Sequence, residues 1–489
     1  MVYHTMQDRG EEMKESTKIS IKKVLRRLHL LYLAKSVYQK ISWIYDKATV
    51  GQRTRKFESV FDDFYAEVRQ TEVQSNGILC MGILCTPHKP TLIPFLSQVK
   101  DSSGKQIILL DESREEDAEC PFPRFRVPRS APVKYDRNIE FKGTPEMQKK
   151  LEEKEFLGNA VKNITERLPN IKESYAKVLV YKSYEMYHFI LDTWKPSEVI
   201  IWSEYNALHT VFAHTCREKG IDPIFMEFGV LPGTFALERG GQMGKSDVAV
   251  NDKDFLALQV NDAELEKTQD VLQFLKESGL NRNIQPDGNA MKHLEKRLKP
   301  NRPIVLFAGQ HDFDSGMVPY TEETKKYHSP AFVSSLDAVK YLAELAEKND
   351  WNFIFKPHPG MVNRYRKTEF PENTIYLTDI NLNELIDRVD VVVTLMSQTA
   401  YVSLIRGCAT VTMGYNQLRG KGCNYEAFSK EIIEEKIKEA IVNGYTEDQK
   451  EKFLLHTAQL LKYYLFDDMR ERKIRYGKSG QALRGTKGF

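Results

Sequence analysis

WNFIFKPHPG, residues 351–360, is the stretch on which the reading of the chain turns. Residues 352–355 have the apolar, aromatic character of a buried strand, and Lys356-Pro357-His358-Pro359-Gly360 stops it abruptly. Each proline fixes its own φ and removes a backbone donor. One lysine and one histidine are therefore held at the carboxyl end of a strand, the rim where open α/β sheets bind ligands. Lys356 at that rim is a point charge for phosphate, and His358 can donate a hydrogen bond or a proton. A strand-ending turn with a solvated histidine fits these ten residues equally well, so the surrounding chain has to decide.

Working outward, residues 303–308 (PIVLFA) open an α/β domain and lead into the loop 309–316, GQHDFDSG. Asp312 and Asp314 in that loop spell a DxD. Two hard oxygen ligands would suit Mg or Mn, but a motif this short recurs by chance. We read it as a glycine-bounded loop lining a cleft. A helix is expected over 332–348, a short strand over 373–377, a short helix over 381–388 and a buried strand over 389–395. The last delivers Ser397-Gln398-Thr399 to a helix start. That arrangement makes either an anion site or an ordinary N-cap. Residues 409–413 (ATVTM) form a final strand. The loop 414–422 follows, with Tyr415, Arg419 and Lys421, and reads as a cationic loop or a solvated turn.

Upstream, the pattern predicts strands at 77–84, 106–110, 198–202 and 223–226, with helices at 145–167, 171–191 and from 203 to about 220. Residues 121–142 read as an irregular excursion near a cleft. The strand at 223–226 ends in Glu227-Phe228-Gly229, with Gly233 close behind. A carboxylate at a strand's end is placed for general-base work; it can equally cap a helix or pair with an arginine. Residues 252–300 are charged and helical with breakers, and connect two α/β units. The organisation expected is a helical extension (1–74), a first Rossmann-like domain (75–250), the connection (251–300), a second Rossmann-like domain (301–430), and C-terminal helices with a basic tail (431–489).

Composition narrows the class. A net charge of +3 over 489 residues is too mild to argue for nucleic acid, and no nucleic-acid signature is present. None of the six cysteines forms a CxxC pair, which fits free thiols in a reducing compartment. No apolar run approaches the roughly 18 residues of a membrane span, and the polar, acidic first fifteen residues predict no signal peptide. A cytoplasmic protein is expected. The basic helical pattern at 18–45 can lie on an anionic inner membrane surface or pack on the catalytic domain.

Several loops together, FMEFGVLPGTFALERGG (225–241), LFAGQHDFDSG (306–316), FKPHPG (355–360) and TLMSQTAYVSLIRGCATVTMGY (394–415) with the GKG that follows, resemble the capsule polysaccharide biosynthesis family, which includes the Kdo transferases of capsule export systems. The resemblance implies the GT-B arrangement, two Rossmann-like domains facing a cleft. It also implies transfer of a sugar from a CMP-sugar such as CMP-Kdo to a glycan or glycolipid acceptor, with no cofactor and no metal. Carried over, Glu227 with Gly229 matches the acidic motif that supplies the base or nucleophile. His358-Pro359 matches the motif that holds the nucleotide phosphate, and Ser397 and Thr399 match the Ser/Thr motif on the same phosphate. Here a glutamine separates the two hydroxyls, a departure from the pattern. Lys356, assigned from charge, and Gln310 join the phosphate set; Gly229, Asp312, Asp314, Tyr415 and Lys421 are expected to line the cleft. Two rivals remain open: a teichoic-acid-type polyol-phosphate transferase or sugar-nucleotide epimerase of the same fold, and a non-catalytic scaffold of a polysaccharide assembly complex.

Overall fold

The computed structural model describes residues 57–82, 89–111, 120–128, 143–168, 171–282, 285–286, 290–469 and 474–478. The basic pattern at 18–45 lies outside them, as do 83–88, 129–142 and most of the basic tail.

Short runs of Val, Ile, Leu and Phe, buried at nearly every residue, are what parallel strands covered on both faces require. The first sheet is built from β1 (Ile78–Met81), β2 (Ile107–Asp111), β3 (Arg124–Arg126), β4 (Glu198–Trp202), β5 (Ile224–Phe228) and β6 (Thr234–Glu238). The second holds β7 (Ile304–Ala308), β8 (Asn352–Lys356), β9 (Thr374–Tyr376), β10 (Val391–Thr394), β11 (Ala409–Thr412) and β12 (Tyr425–Glu426). A short β13 (Phe466–Asp467) returns to the first sheet. The strand orders are β13-β6-β5-β4-β1-β2-β3 and β12-β11-β10-β7-β8-β9. All pairings are parallel except β5 with β6 and β6 with β13. These are two Rossmann-like units, as the sequence pattern predicts.

The strand orders say where ligands bind. In the first sheet the chain runs outward from β1 to β3, then restarts at β4 on β1's other side. In the second it runs from β7 to β9 and restarts at β10 beside β7. Loops leaving the paired strands at such a reversal diverge and open a crevice at the strands' carboxyl ends. The loops after β7 and β10 are the ones carrying Gln310–Ser315 and Ser397–Thr399.

Three boundaries differ from expectation. β5 runs to Phe228, so Glu227 lies within the strand, opposite Ala236 of β6. The stretch after Gly233, for which no strand was expected, forms the other arm of a β5–β6 hairpin. Gly229 serves that hairpin: a Cβ there would fall 2.0 Å from Thr234 Oγ1. Finally, residues 57–70, inside the expected extension, place Phe57, Phe61, Phe64 and Val68 in the first unit's core.

The seam between the units is packed as well as hydrogen-bonded. Val230 and Leu231 share a buried cluster with Ala400, Tyr401, Leu404 and Leu465. Arg167 pairs with Asp314 at 2.7 Å, and Lys245 pairs with both Glu204 and Glu323, the latter at 2.7 Å. Among the described residues no helix is long and apolar enough to cross a membrane, and Cys80, Cys120, Cys216, Cys408 and Cys423 are free thiols.

Candidate active site

A cavity of about 380 Å³ lies where the carboxyl ends of the two sheets face each other. Gly82 after β1, Ser203 and His209 after β4, and Glu227 to Thr234 at β5 form one wall. Gln310, His311, Asp314 and Ser315 after β7, His358 after β8, and Met396 to Thr399 after β10 form the other. Arg167 and the connection residues Asn281, Arg282 and Gln285 close the sides. Of the residues singled out from sequence, Glu227, Gly229, Gln310, Asp314, His358, Ser397 and Thr399 line this one space.

Glu227 is half-buried, and its carboxyl is pushed up to about 7. Burial is the main cause and Glu204 adds to it; Arg282 and the Met243 N–H oppose. Near neutral pH it can therefore take up and release a proton. His358 faces it from the other unit. Gly360 N donates to His358 Nδ1 at 3.1 Å, which leaves the neutral ring's proton on Nε2. Burial drives this imidazole down to about 4; His311, Arg282 and Lys356 add to that and Asp314 opposes. His358 is thus a neutral hydrogen-bond donor at physiological pH.

The glutamine between the two hydroxyls has a structural task. Gln398 Nε2 donates across the seam to the Phe228 carbonyl at 2.8 Å, next to Glu227. Ser397 Oγ donates to Thr399 Oγ1 at 3.1 Å and accepts from Thr399 N at 3.2 Å. Ser397 Oγ is thus engaged by the first residue of the helix Thr399–Arg406, and the Thr399 hydroxyl keeps its hydrogen for a ligand.

Other expected site residues are used elsewhere. Asp312 is buried and accepts from Ser335 Oγ at 2.5 Å and Ser335 N at 3.1 Å, so it braces the start of the helix Ser335–Asn349 instead of lining the cavity. Asp314, the other half of the DxD, stays at the cavity wall but is paired with Arg167 at 2.7 Å. Lys421 is buried, with Nζ donating to Val248 O at 2.8 Å and Arg419 O at 3.2 Å. Tyr415 packs under the Arg419 guanidinium, 3.9 Å from the ring centroid, and against Phe428. Neither of the two lines the cavity, because the loop that carries them folds onto the seam. Lys356 is the buried last residue of β8 and stands behind His358; burial lowers its ammonium and Asp379 opposes. The Gln310 amide is occupied as a stitch, donating to Ser315 Oγ at 2.9 Å and accepting from Met396 N at 3.1 Å.

Sequence reasoning missed His311, Arg167, Arg282 and His209. A signal for His311 exists: β7 and β8 pair with Ala308 opposite Lys356, and each strand meets a histidine two or three residues later.

Residues 266–446 match the profile of a family described as capsule polysaccharide biosynthesis protein. The matched stretch contains the whole second sheet, while Glu227 lies ahead of it. No curated protein sequence matches the chain. Among solved structures, the β-Kdo 2,7 transferase of KpsC from Thermosulfurimonas dismutans is 17% identical, over 62% of this chain and 87% of its own, with a TM-score of 0.38. The β-Kdo 2,4 transferase of the same KpsC is 14% identical over 54% and 79%, with a TM-score of 0.39. The UDP-GlcNAc 2-epimerase from Neisseria meningitidis is 10% identical over 78% and 95%, with a TM-score of 0.31. At such scores these neighbours carry no argument of their own, and the fold assignment rests on the strand orders above.

Proposed function

We propose that the chain is a glycosyltransferase of capsule or surface polysaccharide synthesis, moving a sugar from a nucleotide-linked donor to a glycan or glycolipid acceptor. One observation carries the reading: a single cavity sets a carboxyl tuned to about 7, Glu227, across from a fixed imidazole donor, His358. Glu227 takes the proton of an acceptor hydroxyl as its oxygen attacks the anomeric carbon. The bond from that carbon to the phosphate oxygen breaks, and negative charge grows on the departing nucleotide. The His358 Nε2–H and the Thr399 hydroxyl receive that charge, with the Lys356 ammonium behind them. Both DxD carboxylates are engaged by protein groups, which supports a transfer run without a bound metal. The resemblance of its loops to the capsule polysaccharide biosynthesis family is the ground for taking a CMP-linked donor such as CMP-Kdo.

The test is direct. The purified chain is offered CMP-, CDP- and UDP-linked sugars with glycan acceptors, and transfer is followed by mass spectrometry. Glu227→Gln should bind nucleotide yet turn over roughly a hundredfold more slowly, while His358→Ala should lose both affinity and rate. Near-native turnover by Glu227→Gln would remove Glu227 from the chemistry. Donor epimerisation or polyol-phosphate transfer would replace the proposed reaction.

A further inference from the structure

His311 takes no part in the mechanism above, and the family resemblance assigns it none. It stands beside His358 because β7 and β8 are neighbours in register. The two ring centroids are 5.4 Å apart with the planes at 89°. Each ring has Nδ1 engaged by a backbone amide: Gly360 N donates to His358 Nδ1 and Asp314 N to His311 Nδ1, both at 3.1 Å. A backbone N–H can only donate, so this contact makes Nδ1 the acceptor and puts the neutral ring's proton on Nε2. At His311 the Asp314 carboxylate, itself paired with Arg167 at 2.7 Å, also lies 3.1 Å from Nδ1 and pulls toward the other tautomer; we take the one set by the amide. Burial lowers the pKa of both imidazoles, and for His311 Arg167 and Arg282 add while Asp314 opposes. Both histidines line the cavity.

Gly360 is what allows this pairing. A Cβ there would fall 2.6 Å from His311 Cδ2 and 3.3 Å from His358 Nδ1. Any other residue pushes the rings apart. The glycine that ends the KPHPG turn thus makes room for a side chain from the neighbouring strand's loop.

We infer that His311 is a second phosphate-binding residue, forming with His358 a pair of neutral Nε2–H donors that grip the phosphate joining nucleotide to sugar from two directions. This rests on reading the cavity as the donor site. One phosphate presents several acceptor oxygens on one centre, so two adjacent donors can serve it together. Donors locked in place by backbone amides need no reorganisation as charge develops.

The experiment measures equilibrium binding of CMP, CDP and UDP to the full chain and to His311→Asn, His311→Gln, His358→Ala and Gly360→Ala, with thermal melts to confirm folding. Asparagine can keep the Nδ1-side contact to Asp314 N and lacks the Nε2-side donor; glutamine does the reverse. The inference expects His311→Asn to weaken binding about tenfold, the scale of one hydrogen bond to a charged group. His311→Gln should stay within about threefold of the native chain. Gly360→Ala, which keeps both imidazoles but displaces them, should behave like His311→Asn. Native-like binding by His311→Asn together with loss in His311→Gln marks a purely structural histidine and overturns the inference. So does native-like binding by all the His311 variants while His358→Ala loses affinity, which leaves the donor site standing. If His358→Ala also binds as the native chain does, the donor-site reading itself fails, and the inference with it.

Discussion

Glu227→Gln should make the protein more stable, and by an amount that depends on pH. In an unfolded chain this carboxyl ionises near 4.5; in the folded protein it does so near 7. Between those values the folded state holds a proton that the unfolded state has released, so stability falls as pH rises through the window. Above about 7 the loss is complete, and below about 4.5 it is absent. At about 1.4 kcal/mol per unit, the full cost of ionising Glu227 in place is about 3 kcal/mol. The side chain is only half-buried, and solvent screening should reduce what is expressed to about 1–2 kcal/mol. Glutamine has nearly the same shape and does not titrate. The variant's advantage over the native chain should therefore grow by that amount between pH 5 and pH 8. Urea titrations of both proteins at the two pH values measure it, and any constant difference between amide and carboxyl cancels in the comparison. A gap that does not change with pH, or one that shrinks as pH rises, would refute the placement of a strained carboxyl in this wall.

The same group sets the rate profile: kcat/KM should fall as pH drops through about 7. Arg282→Ala, which removes a cation that eases the ionisation of Glu227, should move that falling limb to higher pH; a shift to lower pH contradicts the assignment. Lys421→Ala should cost about 1–3 kcal/mol by leaving the Val248 and Arg419 carbonyls short of a donor, seen as a lower Tm, with kcat/KM of the folded protein within about twofold of native. Lost activity at an unchanged Tm would return Lys421 to the site. Gln398→Ala breaks the bond to Phe228 O across the seam, worth about 1 kcal/mol, and should raise the donor KM several-fold with a smaller effect on kcat. The basic stretch at 18–45 is expected to bring the chain down with anionic vesicles and release it as salt passes about 0.15 M; equal recovery with neutral vesicles would assign the stretch to packing.

How far the sequence could be read follows from what each residue advertises. Parallel strands buried on both faces are continuous apolar runs, so β7, β8, β10 and β11 stood out, and the loops at their carboxyl ends followed. The β5–β6 hairpin was hidden because its turn, Gly229 to Gly233, also resembles a ligand loop. Side-chain direction was not legible. Asp312 and Asp314 are two residues apart in an exposed-looking loop, yet one braces the helix start at Ser335 and the other crosses the seam to Arg167. Lys421 looked like a cleft-lining cation because charge shows in a sequence while a buried carbonyl partner does not. His311 was overlooked for a related reason. Its significance lies in a neighbour on the adjacent strand and in the missing side chain at Gly360, and both are facts of pairing, not of local composition.

The return of the chain to pair Phe466–Asp467 with β6 bears on how this protein is made. The outer edge of β6 is synthesised by residue 238 and meets its partner only at 467. At roughly 5–20 residues per second, the intervening stretch of about 230 residues takes roughly 10–45 s on the ribosome. For that time the first unit has an uncovered edge, a template for wrong pairing, while the whole second unit is being built. Release of a chain stopped between β12 (Tyr425–Glu426) and β13 (Phe466–Asp467) should yield a second unit with all six strands present and a first unit with its edge open. The nascent protein is thus expected to need an occupant for that edge during synthesis, whether a folding helper or a second nascent chain.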